Sequence, residues 1–158
     1  MNISEAYVAG FLDGEGYFGL MKRSGTNAKY FSKTQNKIVI YKRHGFYPAM
    51  KVSQVKDDAD ILYRLQDMYG GHIHTKNSYD NHRGAVTLEI KGKKALKEFL
   101  PEIIPYLIVK KTQAELLLEF CQMDYAYRRK KDKTDWNRAL EIFDELKILK
   151  GKPVATTE

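Results

Sequence analysis

Near the N-terminus small residues recur at every fourth position, Ala6, Gly10 and Gly14, with Ala9 beside them. Residues four apart share one face of an α-helix, so this spacing strips a face of bulk and lets a second helix approach backbone to backbone. A glycine inside a helix costs about 1 kcal/mol relative to alanine, and a close helix crossing would offset that cost at Gly10. The segment Ser4 to Asp13 is expected to be that helix: Ser4 can cap it, Glu5 suits its positive end, and Gly14 and Gly16 break it. At its foot stand Asp13 and Glu15, where helix carbonyls are unpaired and partial negative charge disfavours acids. Two carboxylates among free carbonyls make a cation site. Such oxygen donors suit Mg²⁺, which takes one or two carboxylates together with water and phosphate oxygens. A bare Asp-Gly-Glu-Gly would, by itself, be a polar helix stop before a turn.

Charge supplies a second constraint. The chain of 158 residues carries a formal net charge of +7. From Tyr17 to Lys56 there is no Asp or Glu, while nine Lys and Arg residues fall in that block of forty. Uncompensated repulsion of this kind is best relieved by a polyanion, and the interleaved Tyr, Gln and Asn point to nucleic acid over a merely solvated basic face. One cysteine, Cys121, excludes an internal disulfide and any zinc site built on paired cysteines. With no apolar run long enough to cross a bilayer and no basic-then-apolar leader, a soluble, intracellular protein without a membrane partner is expected.

The pattern along the chain alternates between helix and strand. Tyr17 to Arg23 reads as a strand, Ser24-Gly25-Thr26-Asn27 as a turn, Lys37 to Arg43 as a strand, His44-Gly45 and Pro48 as a second turn, and Ala49 to Val55 as an alternating strand. Asp57 or Asp58 can cap a helix carrying Ile61, Leu62, Leu65 and Met68, ended by Gly70-Gly71. His72 to Asn77 and Ala85 to Ile90 make a hairpin, followed by helices over Lys93 to Leu100, Lys110 to about Lys130 and Thr134 to Leu149. This predicts an α+β fold, one domain over residues 1–150 with a tail over 151–158, and a sheet with one apolar face and one basic face. Paired strands can enter a DNA major groove, so the basic face is a candidate surface for it.

The nonamer Val8-Ala9-Gly10-Phe11-Leu12-Asp13-Gly14-Glu15-Gly16 closely resembles the signature of the LAGLIDADG homing endonucleases, and the resemblance extends over about Ser4 to Asp124. It implies an αββαββα core, an antiparallel sheet saddle with helices packed on one face, and site-specific hydrolysis of double-stranded DNA with Mg²⁺ or another divalent cation such as Mn²⁺. Carried onto this chain, Glu15 is the metal ligand with the Gly14 carbonyl as a second. Val52-Ser53-Gln54-Val55 resembles the strand end where the family keeps a polar residue that positions water, here Gln54. Pro105 to Ala114 resembles the segment bringing a basic residue to the site, here Lys110 with Lys111 as the runner-up. Lys56 followed by Asp57-Asp58 departs from members that keep another basic residue there. Only one copy of the motif is present, so the second motif helix must come from another chain. That makes a homodimer whose interface would include Ala6, Ala9, Gly10 and Asp13, the last capping or bracing the helix pair.

DNA contacts are expected from the outward strand positions Met21, Arg23, Lys51, Ser53, His72, His74, Lys76, Thr87 and Glu89, with Lys37, Tyr41 and Arg43 in a region longer than is usual for the family. Arg and Lys can read guanine, while Gln35, Asn77 and Asn81 suit adenine. Lys29, Lys33 and Arg83 are expected to hold phosphates, as is the run Arg128 to Lys131. His72-x-His74 could bind zinc but lacks a third ligand. Two other readings compete: a LAGLIDADG-fold RNA maturase or regulator that binds without cleaving, against which Glu15 argues, and a basic ribosome-associated protein, which leaves the nonamer unexplained.

Overall fold

The structure is a computed structural model that describes residues 3–77, 83–123 and 133–151. Helix α1 (Glu5–Glu15) leads into strands β1 (Gly16–Ser32) and β2 (Lys37–Val55), then α2 (Asp60–Tyr69), β3 (His72–Lys76), β4 (Ala85–Lys91), α3 (Lys93–Ile103), α4 (Lys111–Gln122) and α5 (Lys133–Leu149). The first seven elements are the αββαββα core. Its four strands form one antiparallel sheet in the order β1-β2-β4-β3.

Alternation decides which side of the sheet is covered. Phe18 and Leu20 on β1, Met50 and Val52 on β2, and Val86, Leu88 and Ile90 on β4 are buried. They share one core with Leu62 and Leu65 of α2, Leu96, Phe99, Leu100 and Ile103 of α3, and Leu117 and Phe120 of α4. Helix α1 joins it through the buried Val8, Ala9 and Leu12, with Phe11 packed partly buried beside them. Cys121 is also buried, and desolvation pushes its thiol up to about 12 against the pull of Lys93 and Lys97. No helix among the described residues is long and apolar enough to cross a membrane.

The first hairpin differs from the sequence expectation. The turns expected at 24–27 and at 44–48 lie within two uninterrupted strands, and the turn sits at the tip over residues 33–36, where Asn36 takes a φ of 46°. The two stretches face each other: Arg23 pairs with Gly45 and Thr26 with Arg43, with a register shift between. Turn-forming residues serve a bulge equally well, and Gly45, at a φ of 147°, supplies backbone that other residues seldom adopt. Pro48 is tolerated because β2 pairs with β4 only from Ala49 onward.

The remaining boundaries shift for local reasons. A 3₁₀ turn, Lys56–Asp58, precedes α2, so Ala59 takes the cap position expected of an aspartate. Pro101 falls inside the last turn of α3, which runs on to Ile103. Helix α4 ends at Gln122, with Met123 extended. The run Arg128 to Lys131, the loop residues Asn81 and His82, and the tail over 152–158 lie outside the described residues.

Candidate metal and nucleic-acid site

Helix α1 passes into β1 without a loop, and Gly16 is what permits it. A Cβ there would stand 2.6 Å from the Leu12 carbonyl oxygen, while the Gly16 N–H donates to that same oxygen. The last carbonyls of α1 therefore end at the edge of the sheet, where the chain supplies them with a cation. Lys110 Nζ donates to the carbonyls of Leu12 (3.1 Å), Gly14 (3.2 Å) and Gly16 (2.7 Å). A lysine on the final carbonyls of a helix satisfies them and matches the dipole. Burial holds the Lys110 ammonium below its ordinary value, and the charges of Asp13 and Glu15 work against that.

Asp13 is tied to the same segment from the other side. Its carboxylate accepts from the backbone N–H groups of Ile108 (2.8 Å) and Lys110 (2.9 Å), just ahead of α4. Burial would raise its carboxyl. The N–H donors of Ile108, Lys110 and Val109, with the Lys110 charge, outweigh that and hold it below the ordinary value. Within the chain, Asp13 thus ties the foot of α1 to the segment ahead of α4. Because the folded value is depressed, the stabilisation is complete above the ordinary carboxylate range and is lost as pH falls through the lowered value. Asp13→Asn should cost about 1–3 kcal/mol at neutral pH, the loss of a charged acceptor from two N–H groups. Denaturant melts should show that deficit shrinking toward pH about 3.

Glu15, the last residue of α1, is exposed. It lines a hollow of about 450 Å³ together with Tyr17, Met21, Lys51, Ser53 and Thr87. Glu15 and the Gly14 carbonyl are hard oxygen donors, and the convergence of three carbonyls on one ammonium shows that the spot attracts positive charge. The described residues hold no group of three His, Cys, Asp or Glu side chains able to bind a metal. One carboxylate per chain with backbone oxygen, water and phosphate is the mode Mg²⁺ favours, so the donor set fits such a cation. Gln54 lies two residues beyond Val52, which pairs with Gly16, and so is level with the foot of α1. By alternation it shares the face of Val52, on the side of the sheet away from Ser53.

The other face of the sheet is polar, and the register aligns the expected residues in rows. Tyr17, Lys51, Glu89 and His72 form one row across β1, β2, β4 and β3; Ser53, Thr87 and His74 form the next. Ser53 and Thr87 hydroxyls bond to each other at 2.7 Å. Met21 pairs with Tyr47, and the Arg23 guanidinium lies 4.5 Å over the Tyr47 ring, which fixes a long side chain at the surface. Lys76 is exposed on β3, while Lys33 at the hairpin tip, Lys37 at the start of β2 and Arg83 before β4 are exposed at the edges. Tyr41 and Arg43 lie on β2, with side chains outside the described residues. Glu89 is drawn under its neighbours, only 7% exposed, held by Lys51, His74 and Lys91.

One interface assignment needs correcting. Ala9 is fully buried inside its own chain, packed with Val8 and Leu12, because it lies one helical turn before Leu12. The outward face of α1 consists of Ala6, Tyr7, Gly10 and Gly14, and a Cβ at Gly10 or Gly14 would meet nothing within 4 Å. Sequence reasoning missed Tyr17, although its alternation with Met21 places it on the polar face. It also missed Lys150, whose ammonium lies 3.9 Å over the Tyr17 ring and which no local pattern connects to that strand.

The profile described as LAGLIDADG endonuclease matches residues 8–127. No curated protein sequence matches. Among solved structures, the homing endonuclease I-CvuI in complex with the I-CreI target is 20% identical, with a TM-score of 0.66 over 98% of this chain and 85% of that one. The archaeal intron-encoded homing endonuclease I-Vdi141I, complexed with DNA, is 19% identical, with a TM-score of 0.63 over 98% and 88%. The homing endonuclease I-TnaI is 20% identical, with a TM-score of 0.59 over 96% and 98%. At these identities the likeness is one of fold.

Proposed function

The chain belongs to the LAGLIDADG endonuclease family, and from that premise we propose that it is a homing endonuclease, two copies of which bind one long, roughly palindromic DNA site and cut both strands. The observation that carries this reading is the position of Glu15. It stands exposed where the bare outward stripe of α1 meets the polar face of the sheet. Joining two chains through that stripe brings two Glu15 carboxylates near a two-fold axis, one for each strand.

Glu15 and the Gly14 carbonyl would hold a divalent cation, which when bound supplies charge neutralisation at the scissile phosphate and an activated water. Lys110 brings a further positive charge to the same carbonyl cluster, where it can attract a phosphate oxygen. Gln54, level with this point, is assigned to hold water. Asp13 keeps Lys110 and the foot of α1 in register. Incubating purified protein with a plasmid library and Mg²⁺, then sequencing the ends, should return paired cuts at one symmetric site. Binding without cuts would instead favour a scaffold that only binds.

The two classes of basic residue should separate in a salt titration. Replacing Lys33, at the exposed hairpin tip, should weaken binding to all sequences alike and make the log-log salt slope shallower by about one unit for each phosphate no longer neutralised. Replacing Arg23 or Lys76 should relax preference at symmetric positions in the two half-sites, since base contacts carry sequence and phosphate contacts carry register. The opposite pattern would mean that the faces are assigned backwards.

A further inference from the structure

A buried acid is out of place on a surface built for a polyanion, and Glu89 is the acid in question. Lys51 Nζ stands 3.0 Å from its Oε1, while His74 Nε2 and Lys91 Nζ stand 3.4 and 3.5 Å from its Oε2. The register explains the convergence. Lys51 is the Cα partner of Glu89 on β2, and His74 is the diagonal neighbour on β3, opposite Thr87. Phosphates would repel this carboxylate, so its use lies in what it imposes on the groups around it.

An ionised carboxylate can only accept hydrogen bonds. His74 must therefore present an N–H at Nε2, and a neutral imidazole has only one N–H, so Nδ1 is left as an acceptor. The Lys51 ammonium spends one N–H on Oε1 and keeps two donors. Burial would raise the Glu89 carboxyl, but Lys51, His74 and Lys91 together hold it below the ordinary value, which keeps it ionised. His74 is itself largely exposed, its side chain 58% accessible, so the ring is open to a ligand.

Resting on the reading of this face as the DNA surface, we propose that Glu89 is a positioning residue that fixes the hydrogen-bond polarity of base recognition. It holds His74 as an acceptor for an exocyclic amino group, cytosine N4 or adenine N6. It holds Lys51 as a donor to a base edge rich in acceptors, as guanine presents. In Glu89→Gln the amide has one acceptor and one donor end. Lys51, at the shorter distance, keeps the carbonyl, the amino group turns toward His74, and the Lys91 ammonium, a donor that can no longer bond at that end, turns out to water. The ring must then accept at Nε2, and its proton moves to Nδ1. A reader of amino groups becomes a donor that suits guanine or thymine.

Two measurements test this. Ring ¹⁵N chemical shifts of His74 in the free protein at pH about 8.5, where imidazole is neutral, should show the Nε2–H form in the wild type and the Nδ1–H form in Glu89→Gln. A wild-type ring mainly protonated at Nδ1 would overturn the inference without any DNA present. Selection of both proteins on a randomised duplex library with Ca²⁺, followed by sequencing of the bound fraction, should show preference at one symmetric pair of positions inverted by about tenfold in Glu89→Gln. Positions read by Arg23 should change by less than about twofold. An identical profile, or a uniform loss at every position, would overturn it. If the wild type enriches no sequence while its ring is Nε2–H, the DNA reading itself falls, and the proposal with it, although the ring result stands.

Discussion

Glu15→Gln should abolish cleavage, by about a thousandfold or more, while leaving DNA affinity within a few-fold of the wild type. Among the described residues, Glu15 is the only carboxylate in the hollow where the α1 foot meets the polar face. Lys51, Ser53 and Thr87 line the same hollow as neutral or positive groups, while His72 and His74 stand on β3 at the far side of the sheet. A glutamine keeps the size and removes the charge, so metal affinity and the neutralisation of the phosphate go together. Several kcal/mol of transition-state stabilisation depend on that charge, and each 1.4 kcal/mol is a factor of about ten in rate. Because Glu15 is exposed at the end of the helix, melting temperature should not move. Single-turnover cleavage in Mg²⁺ and in Mn²⁺, alongside filter binding in Ca²⁺, separates the two effects. Wild-type cutting by this variant would remove Glu15 from the site. Equal loss of binding and cutting would make it a DNA contact.

Those features that repeat at a fixed period could be read from the chain. The two-residue alternation of a half-buried strand placed Lys51, Ser53, Thr87, His72 and His74 on one face, and the structure aligns them in rows. The small-residue spacing of α1 marked a helix with an unusual face, and Gly10 and Gly14 do look onto open space. Contacts between distant parts of the chain were not legible in periodicity, and only the family resemblance brought Lys110 to the site. Lys110 reaches carbonyls 94 to 98 residues away, and Asp13 caps a segment 95 to 97 residues on. No local pattern encodes either contact. Ala9 shows the limit of reading size alone, since a small residue suits an outward helix crossing and a tight inward contact equally well, and packing with Leu12 decided between them. Ser24 to Asn27 and Gly45 show the same limit for turns, because a bulge and a turn draw on the same residues.

Gly10→Leu should separate the two chains without harming either one. Within a single chain the substitution is harmless: a Cβ at Gly10 meets nothing within 4 Å, and leucine is a better helix former than glycine by nearly 1 kcal/mol. Melting of the isolated chain should therefore stay level or rise slightly. Across a two-fold axis the same side chain enters the crossing from both helices at once. Overpacking costs about 1–3 kcal/mol for each intruding side chain, so about 2–6 kcal/mol falls on the dimer, and its dissociation constant rises by about thirtyfold to twenty-thousandfold. With the chains apart, each DNA strand faces Glu15 from a different, unlinked molecule, and paired cutting should fall more steeply with dilution than nicking does. Sedimentation velocity at micromolar concentration, with thermal melts as the control for folding, reads both halves of the expectation. A Gly10→Leu dimer as tight as the wild type would place the interface away from α1, and with it would go the argument that two Glu15 carboxylates meet at one axis.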